Sequence, residues 1–341
     1  MEDGIGPNPN HANCSSLLLS RSDVTGLLDL RECIAAVEDA FRLHAIGEAG
    51  QPGVLGIHVV EGGFHIKAAA LALERPYFAA KLNGNFPQNG PRLGLPTIRG
   101  VLALCDASNG EPLAVMDSMS ITALRTAAAS AVAAKYLARE RCDTALIVGC
   151  GAQAPAQLRA LCVVRKPRRI LAYDQDAGKA AAFAVALGAE LSIPATASTG
   201  LAEAVAASDI VITCTTAGKF IITREMVRPG TFIAAVGADS ENKQEIDPQL
   251  LAHCTLVVDL LEQCCAIGDL HHALDAGLMA RGDVHAQLGE VIAGAKRGRA
   301  RDDEIIVFDS TGTALQDVAA AATVYRRALA RERGNRFSFD A

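Results

Sequence analysis

Residues 145–161, ALIVGCGAQAPAQLRAL, run an apolar stretch into a Gly-x-Gly and then into an alternating apolar segment. That order predicts a strand, a tight turn and a helix. In such a turn Gly149 makes the bend, and Gly151 lets backbone approach a pyrophosphate at the helix N-terminus. The third position of the fingerprint is Ala154, an allowed variant. The next apolar run, RILAY, ends at Asp174, 25 residues after Gly149. A carboxylate there bonds a ribose 2'-hydroxyl and repels a 2'-phosphate, so NAD(H) is favoured over NADP(H). The competing reading is a plain strand-to-helix turn followed by a surface aspartate. The glycines alone do not separate the two; Asp174 tips the balance toward a dinucleotide.

Around this loop the chain alternates between strand and helix. TALIV leads to a helix from Ala152, and RILAY to a helix near 177–187. DIVIT, TFIAAV, TLVVD and EIIVFD follow, each apolar and β-branched. Continuous apolar strands of this kind suit a parallel sheet covered on both faces. Before residue 120 the texture differs. A helix is expected over 30–48, with Ile34, Val37, Phe41 and Leu43 at helical spacing. Four strand-like runs come next: VLGIHVV, FHIKAAALAL, YFAAKLN and GVLALCD. Residues 120–140 read as an alanine-rich helix capped by Ser120, and 313–333 as a final helix turning basic toward its end. The fold class expected is α/β: a Rossmann-type doubly wound sheet plus an α+β substrate-binding and dimerisation domain. The division expected is 126–312 for the Rossmann domain and 1–125 with 313–341 for the other.

Composition narrows the partners. Half of the 341 residues are apolar, 21% are charged and the net charge is -6, which gives no basic footprint for nucleic acid or anionic membrane. No apolar run approaches the roughly 20 residues that span a bilayer. The start, MEDGIGPNPNHANCSS, reads as a loose polar leader and not a secretory signal. The ten cysteines stand singly apart from Cys264-Cys265, as expected for small buried residues in a reducing cytoplasm. No metal site is expected: His271 and His272 are adjacent, and on a helix would point about 100° apart.

Several segments together resemble the ornithine cyclodeaminase/mu-crystallin family. They are KLNGNFPQN, GLPTIRGVLAL, ITALRTAAASAVAAKYLAR, VGCGAQAPAQLRAL, VGADSENKQEID and DEIIVFDSTGTALQDVA, in family order between residues 79 and 327. AIGDLHHALDAGLM is similar to the imine reductase branch, and the alanine dehydrogenase branch is similar throughout. The resemblance implies a homodimer joined through the N-terminal sheets, with substrate meeting nicotinamide between the domains. By motif position, Lys81 is the active-site lysine and Asp239 the acid/base carboxylate. Thr97 and Arg125 hold the cofactor end of the cleft, while Ala152, Gln153 and Asp174 contact pyrophosphate and ribose. Thr215 and Gly237 border the nucleotide, and Ser310 with Thr311 closes the nicotinamide side, Thr311 and Arg125 toward the substrate.

Interconverting an amine and an imine needs hydride transfer, a group moving protons at nitrogen, and a cation for the carboxylate. Lys81 sits in YFAAKLNG, where desolvation lowers an ammonium pKa; alternatively its head snorkels to solvent. Asp239 follows an apolar strand on the ligand side of the sheet, or simply stabilises the turn GADSENK. Arg125, in the first turns of a helix, gains nothing from the macrodipole, which hints at an anionic partner. One departure stands out. Many family members carry a carboxylate-binding arginine after the first helix, and GQPGVLGIHVVEGGFHIKAAAL has none. Lys67, with His58 or His65, is the candidate substitute, binding as a point charge instead of a fork. The function expected is an NAD(P)-dependent oxidoreductase of a small amino acid and its imine or 2-oxo acid. A cyclic-imine reductase of Δ1-pyrroline-2-carboxylate type and an alanine-type dehydrogenase are the nearest forms. The alternatives are an ornithine cyclodeaminase and a non-catalytic, crystallin-like binding protein.

Overall fold

Four strands, Thr144–Val148, Ile210–Thr213, Phe232–Ala235 and Ile306–Asp309, are buried at every residue. They form the middle of an eight-stranded sheet in a computed structural model that describes residues 15–339. Residues 1–14 of the polar leader lie outside the described residues. The sheet is parallel throughout. From one edge it runs Ala195–Ala197, Arg169–Tyr173, Thr144–Val148, Ile210–Thr213, Phe232–Ala235, Ile306–Asp309, Thr255–Val258 and Ala286–Gln287. The first strand in sequence lies inside, and the order reverses beside it. Open parallel sheets bind ligands at that point, outside the carboxyl ends of the strands.

The second sheet has seven strands, ordered Asn335–Phe337, Ser16–Leu19, Pro112–Asp117, Ile98–Asp106, Pro76–Asn85, Gly62–Ala72 and Gly53–Val59. Only Ser16–Leu19 and Pro112–Asp117 pair parallel. Strand alternation puts Tyr77, Ala79 and Lys81 on the buried face and Phe78 and Leu82 on the exposed one. Helices Leu30–Ala45, Ser118–Leu137 and Ala314–Ala330 pack together, the last two against this sheet. Six alanines between Ala127 and Ala134 are at most 1% exposed. Their small side chains let Ser118–Leu137 touch strands of both sheets. The final helix returns to the first sheet as expected, lying against Gly62–Ala72 and Pro76–Asn85.

Two helix starts differ from the sequence reading. The long helix begins at Ser118, and its cap is Asp117, whose carboxylate accepts Ser120 N at 3.1 Å. Ser120 is therefore the bonded donor and not the cap. The helix after the glycine turn begins at Ala154, because residues 149–153 form the loop. The expected boundary at residue 125 falls inside Ser118–Leu137, which runs unbroken past it. The nine cysteines among the described residues are all unpaired. No helix of the described residues is long and apolar enough to cross a membrane.

Candidate active site

The inward face of strand Pro76–Asn85 brings Lys81 under the helices, and Lys67 is its direct cross-strand partner. Arg125 enters from Ser118–Leu137 and Asp317 from Ala314–Ala330. Lys67, Lys81, Arg125 and Asp317 are exposed by 8%, 3%, 5% and 1%. Lys81 Nζ lies 2.7 and 2.9 Å from the two Asp317 oxygens, and Arg125 Nε donates to Asp317 at 3.0 Å. Arg125 also donates to Gln316 Oε1 at 2.7 Å. Lys67 Nζ donates to the carbonyls of Thr311 and Gly312, at 3.1 and 2.6 Å. Gly312 has φ +74°, and a Cβ there would strike the Arg125 guanidinium. Only glycine fits.

Two buried cations thus meet one buried carboxylate, with a third, Lys67, near enough to act on it. Burial, then Arg125 and Lys67, pull the Lys81 ammonium down to about 7 against the opposing pull of Asp317. Lys67 is lowered for the same leading reasons, burial and Arg125. Burial pushes Asp317 up, but Lys81 and Arg125 outweigh it and hold the carboxyl below its ordinary value.

Asp239 follows strand Phe232–Ala235 at the carboxyl edge of the parallel sheet. Its side chain is 54% exposed and pairs with Lys243 at 2.6 Å. The surrounding protein disfavours its charge, yet Lys243, then Lys67 and His65, keep it below the usual carboxylate range. This accessible carboxylate at the parallel sheet's edge is thus within electrostatic reach of Lys67 and His65 on the seven-stranded sheet. In His65, burial outweighs the pull of Asp239 and lowers the imidazole value.

Farther along the same edge lies the glycine loop. Gly149 has φ +89°, and a Cβ there would come 2.8 Å from Thr215 Cγ2, so conformation and space both demand glycine. A Cβ on Gly151 would meet no protein atom within 4 Å. That space is open to a ligand, and Ala152 beside it is exposed. Asp174 accepts Cys150 N at 2.8 Å and Asp176 N at 3.0 Å, and pairs with Lys179 at 3.1 Å. Gln153 Oε1 and Ser310 Oγ are buried without a partner. Polar atoms left so are what an incoming ligand satisfies.

Residues 15–332 match the ornithine cyclodeaminase/mu-crystallin family. The chain belongs to this family. It is an enzyme of it. The alanine dehydrogenase of Archaeoglobus fulgidus is 40% identical over 324 residues, covering 95% of this chain and 98% of that one. An archaeal alanine dehydrogenase dimer with bound NAD superposes with a TM-score of 0.91 at 40% identity, over 95% of this chain and 99% of that one. The Δ1-pyrroline-2-carboxylate reductase of Thermococcus litoralis, solved with NADH and L-proline, gives a TM-score of 0.89 at 36% identity, over 94% and 99%.

Within this family member, Lys81 and Arg125 are bonded to Asp317, Lys67 is bonded to the Thr311 and Gly312 carbonyls, and Asp239 lies within electrostatic reach of Lys67. Gly149, Asp174, Thr215 and Gly237 lie at the sheet edge with Ser310. The Thr311 hydroxyl is committed within the protein: it donates to Asp259 and accepts from Gln263. Thr97 is exposed before strand Ile98–Asp106, and no hydrogen bond among the described residues joins it to another candidate. Asp317 and Glu245 were not read from sequence. Asp317 had a signal, being the only charged residue between 310 and 325. The anionic partner that Arg125 called for is Asp317.

The concavities lined by Arg139, Arg141, Arg168 and Arg228 open at the opposite, amino edge of the parallel sheet. Arg139 and Arg228 pair there with Asp209, and Arg168 with Asp143. They take no part in the cleft.

Proposed function

We propose that the cleft between the two sheets interconverts a small amino acid and its imine or 2-oxo acid, using NAD(H). The observation that carries this reading is the surplus of buried cations around Asp317. Buried charge without a partner is costly, so an uncompensated cationic floor favours an anionic ligand, and a substrate carboxylate supplies it. Lys67 gives two of its three hydrogens to carbonyls, leaving one for that carboxylate. Lys81, at about 7, is matched to exchanging a proton at the substrate nitrogen near neutrality. Asp239, ionised and accessible, takes a proton from the amine or from a water.

The loop atoms fit a dinucleotide. Gly149, Gly151, Ala152 and Gln153 would hold the pyrophosphate, Asp174 the ribose, and Thr215 and Gly237 the edges of the nucleotide. Ser310, Thr97 and Arg125 belong to the nicotinamide end. When bound, the nicotinamide donates or accepts the hydride at the substrate carbon. Asp174 supports NAD(H) over NADP(H), with Lys179 tempering its charge. The chain divides functionally into 126–312 for the nucleotide and 1–125 with 313–341 for substrate and dimer contact. The outer face of the seven-stranded sheet exposes Leu55, Ile57, Phe78, Leu82 and Val101, an apolar surface suited to a second copy of the chain. The test is a panel of Δ1-pyrroline-2-carboxylate, and 2-oxo acids with ammonia or methylamine, followed as net NADH consumption. Consumption with any member supports the reading. Ornithine turned over to a cyclic product without net NADH change would replace it with cyclodeamination.

A further inference from the structure

Four carboxylates outside the chemistry above are buried along the carboxyl edge of the parallel sheet. Glu245, Asp259, Asp269 and Asp309 are each at most 1% exposed, and none of them makes an ion pair among the described residues. They bind backbone N–H groups in series. Asp259 accepts Gly312 N at 2.7 Å and the Thr311 hydroxyl at 2.9 Å. Asp309 accepts Leu270 N at 2.9 Å. Asp269 Oδ1 accepts Glu245 N and Ile246 N at 2.8 and 2.9 Å. Glu245 ends the series with Thr215 N at 2.7 Å on Oε1, and Gly237 N at 2.7 Å and the Thr213 hydroxyl at 2.6 Å on Oε2.

One side chain therefore clamps both loops that border the nucleotide, and Gly237 is two residues from Asp239. The fit is close: a Cβ on Gly237 would come 2.5 Å from Glu245 Cδ. Burial pushes the Glu245 carboxyl up, while the two backbone N–H groups and the Thr213 hydroxyl that face it favour its carboxylate form. Asp269 Oδ2 and Asp309 Oδ1, on neighbouring carboxylates, are buried without a partner. Asp309 accepts from Leu270 N, the residue next to Asp269, and one proton held by such a pair of acids would relieve their repulsion.

We propose that Glu245 is a positioning residue, holding the Thr215 and Gly237 loops at the spacing the nucleotide and Asp239 need, while Asp269 and Asp309 share one proton behind it. This rests on the reading of the cleft as an NAD(H) site. Burial, in keeping with the shared proton, pushes Asp309 up to about 7 and raises Asp269 as well.

Glu245→Gln tests it at constant volume. The amide must turn its NH2 toward either Gly237 N–H or Thr215 N–H, replacing one loop bond with a donor-donor contact. NADH Kd, titrated directly by fluorescence, is expected to rise about 10-fold, and kcat at saturation to fall by a similar factor. Asp269→Asn keeps both N–H bonds on its carbonyl and offers Asp309 a hydrogen, so it should stay within about 2-fold of wild type. A Gln variant with unchanged Kd and kcat, lowered only in Tm, overturns the positioning role. An Asn variant as damaged as the Gln variant overturns the shared proton. Should Glu245→Gln not fold, Thr213→Val removes one donor gently, and an unchanged Kd in place of the expected 3-fold or so rise counts against the proposal. Wild-type protein that binds no NADH removes the reading of the cleft, and the positioning role with it.

Discussion

On one side Lys81 and Arg125 lie buried against a single carboxylate, Asp317, with Lys67 buried on the Thr311 and Gly312 carbonyls; on the other, Glu245, Asp259, Asp269 and Asp309 lie buried with no ion-pair partner among the described residues. The acids are settled within the fold. Backbone N–H and hydroxyl groups bind six of their eight oxygens, and the proposed shared proton would satisfy the other two, Asp269 Oδ2 and Asp309 Oδ1. The cations are not settled. Lys67 rests on two carbonyls within the fields of Asp239 and Asp259, and Lys81 and Arg125 share one carboxylate, leaving a positive balance that an incoming anion would offset. Desolvating a charge costs several kcal/mol even after relaxation, so that surplus is differential affinity for a carboxylate ligand. In the proposed reading the acidic side sets geometry and the cationic side binds the substrate carboxylate.

Removing Asp239, the proposed proton acceptor, should have the largest effect. Asp239→Asn keeps the shape and the local backbone bonds, so fold and NADH affinity should hold while kcat falls about 100-fold or more. Near-normal turnover would mean that Asp239 only stabilises its turn, leaving Lys81 to move the protons.

A smaller effect sharpens the role of the cationic floor. Lys67→Met should raise KM for a carboxylate substrate roughly 10- to 100-fold, the worth of a charge-assisted bond, with NADH Kd unchanged. A collapse of kcat at constant KM would make Lys67 a chemical group. The smallest change concerns the nucleotide end. Asp174→Ser should lower the ratio of NADH to NADPH efficiency about 10-fold, since the ribose bond and the repulsion of a 2'-phosphate both go. An unchanged ratio would show that Asp174, bonded to Cys150 N and Lys179, only ties down the glycine loop.

The legible parts were those written locally. Apolar β-branched runs gave the parallel strands, and Gly149 and Asp174 marked the glycine loop after the first of them; whether Lys81 faced inward was left open, and the structure buries it on the face of Ala79. Ser120 looked like a cap because hydroxyls commonly serve; Asp117, a stronger acceptor, stands three residues earlier. Asp317 and Glu245 were missed for another reason. The Lys81–Asp317 bond spans 236 residues and the Glu245–Thr213 bond 32, and neither spacing repeats with any helix or strand period. What a buried carboxylate holds is set when distant segments meet. The missing arginine was visible as an absence, and its segment, residues 50–71, holds the edge strand Gly53–Val59, exposed at every residue, and most of the partly buried strand Gly62–Ala72.

The claim beneath all of this is that the buried cations recognise a carboxylate, and one kinetic comparison addresses it directly. With NADH as reductant, kcat/KM would be measured for an accepted imino acid and for the same imine lacking its carboxylate, such as Δ1-pyrroline-2-carboxylate against Δ1-pyrroline. Losing the anion leaves the surplus around Asp317 uncompensated, so efficiency should drop at least about 100-fold. Equal efficiency for the two would contradict the account, because the cationic floor would then be part of the fold and not of the site.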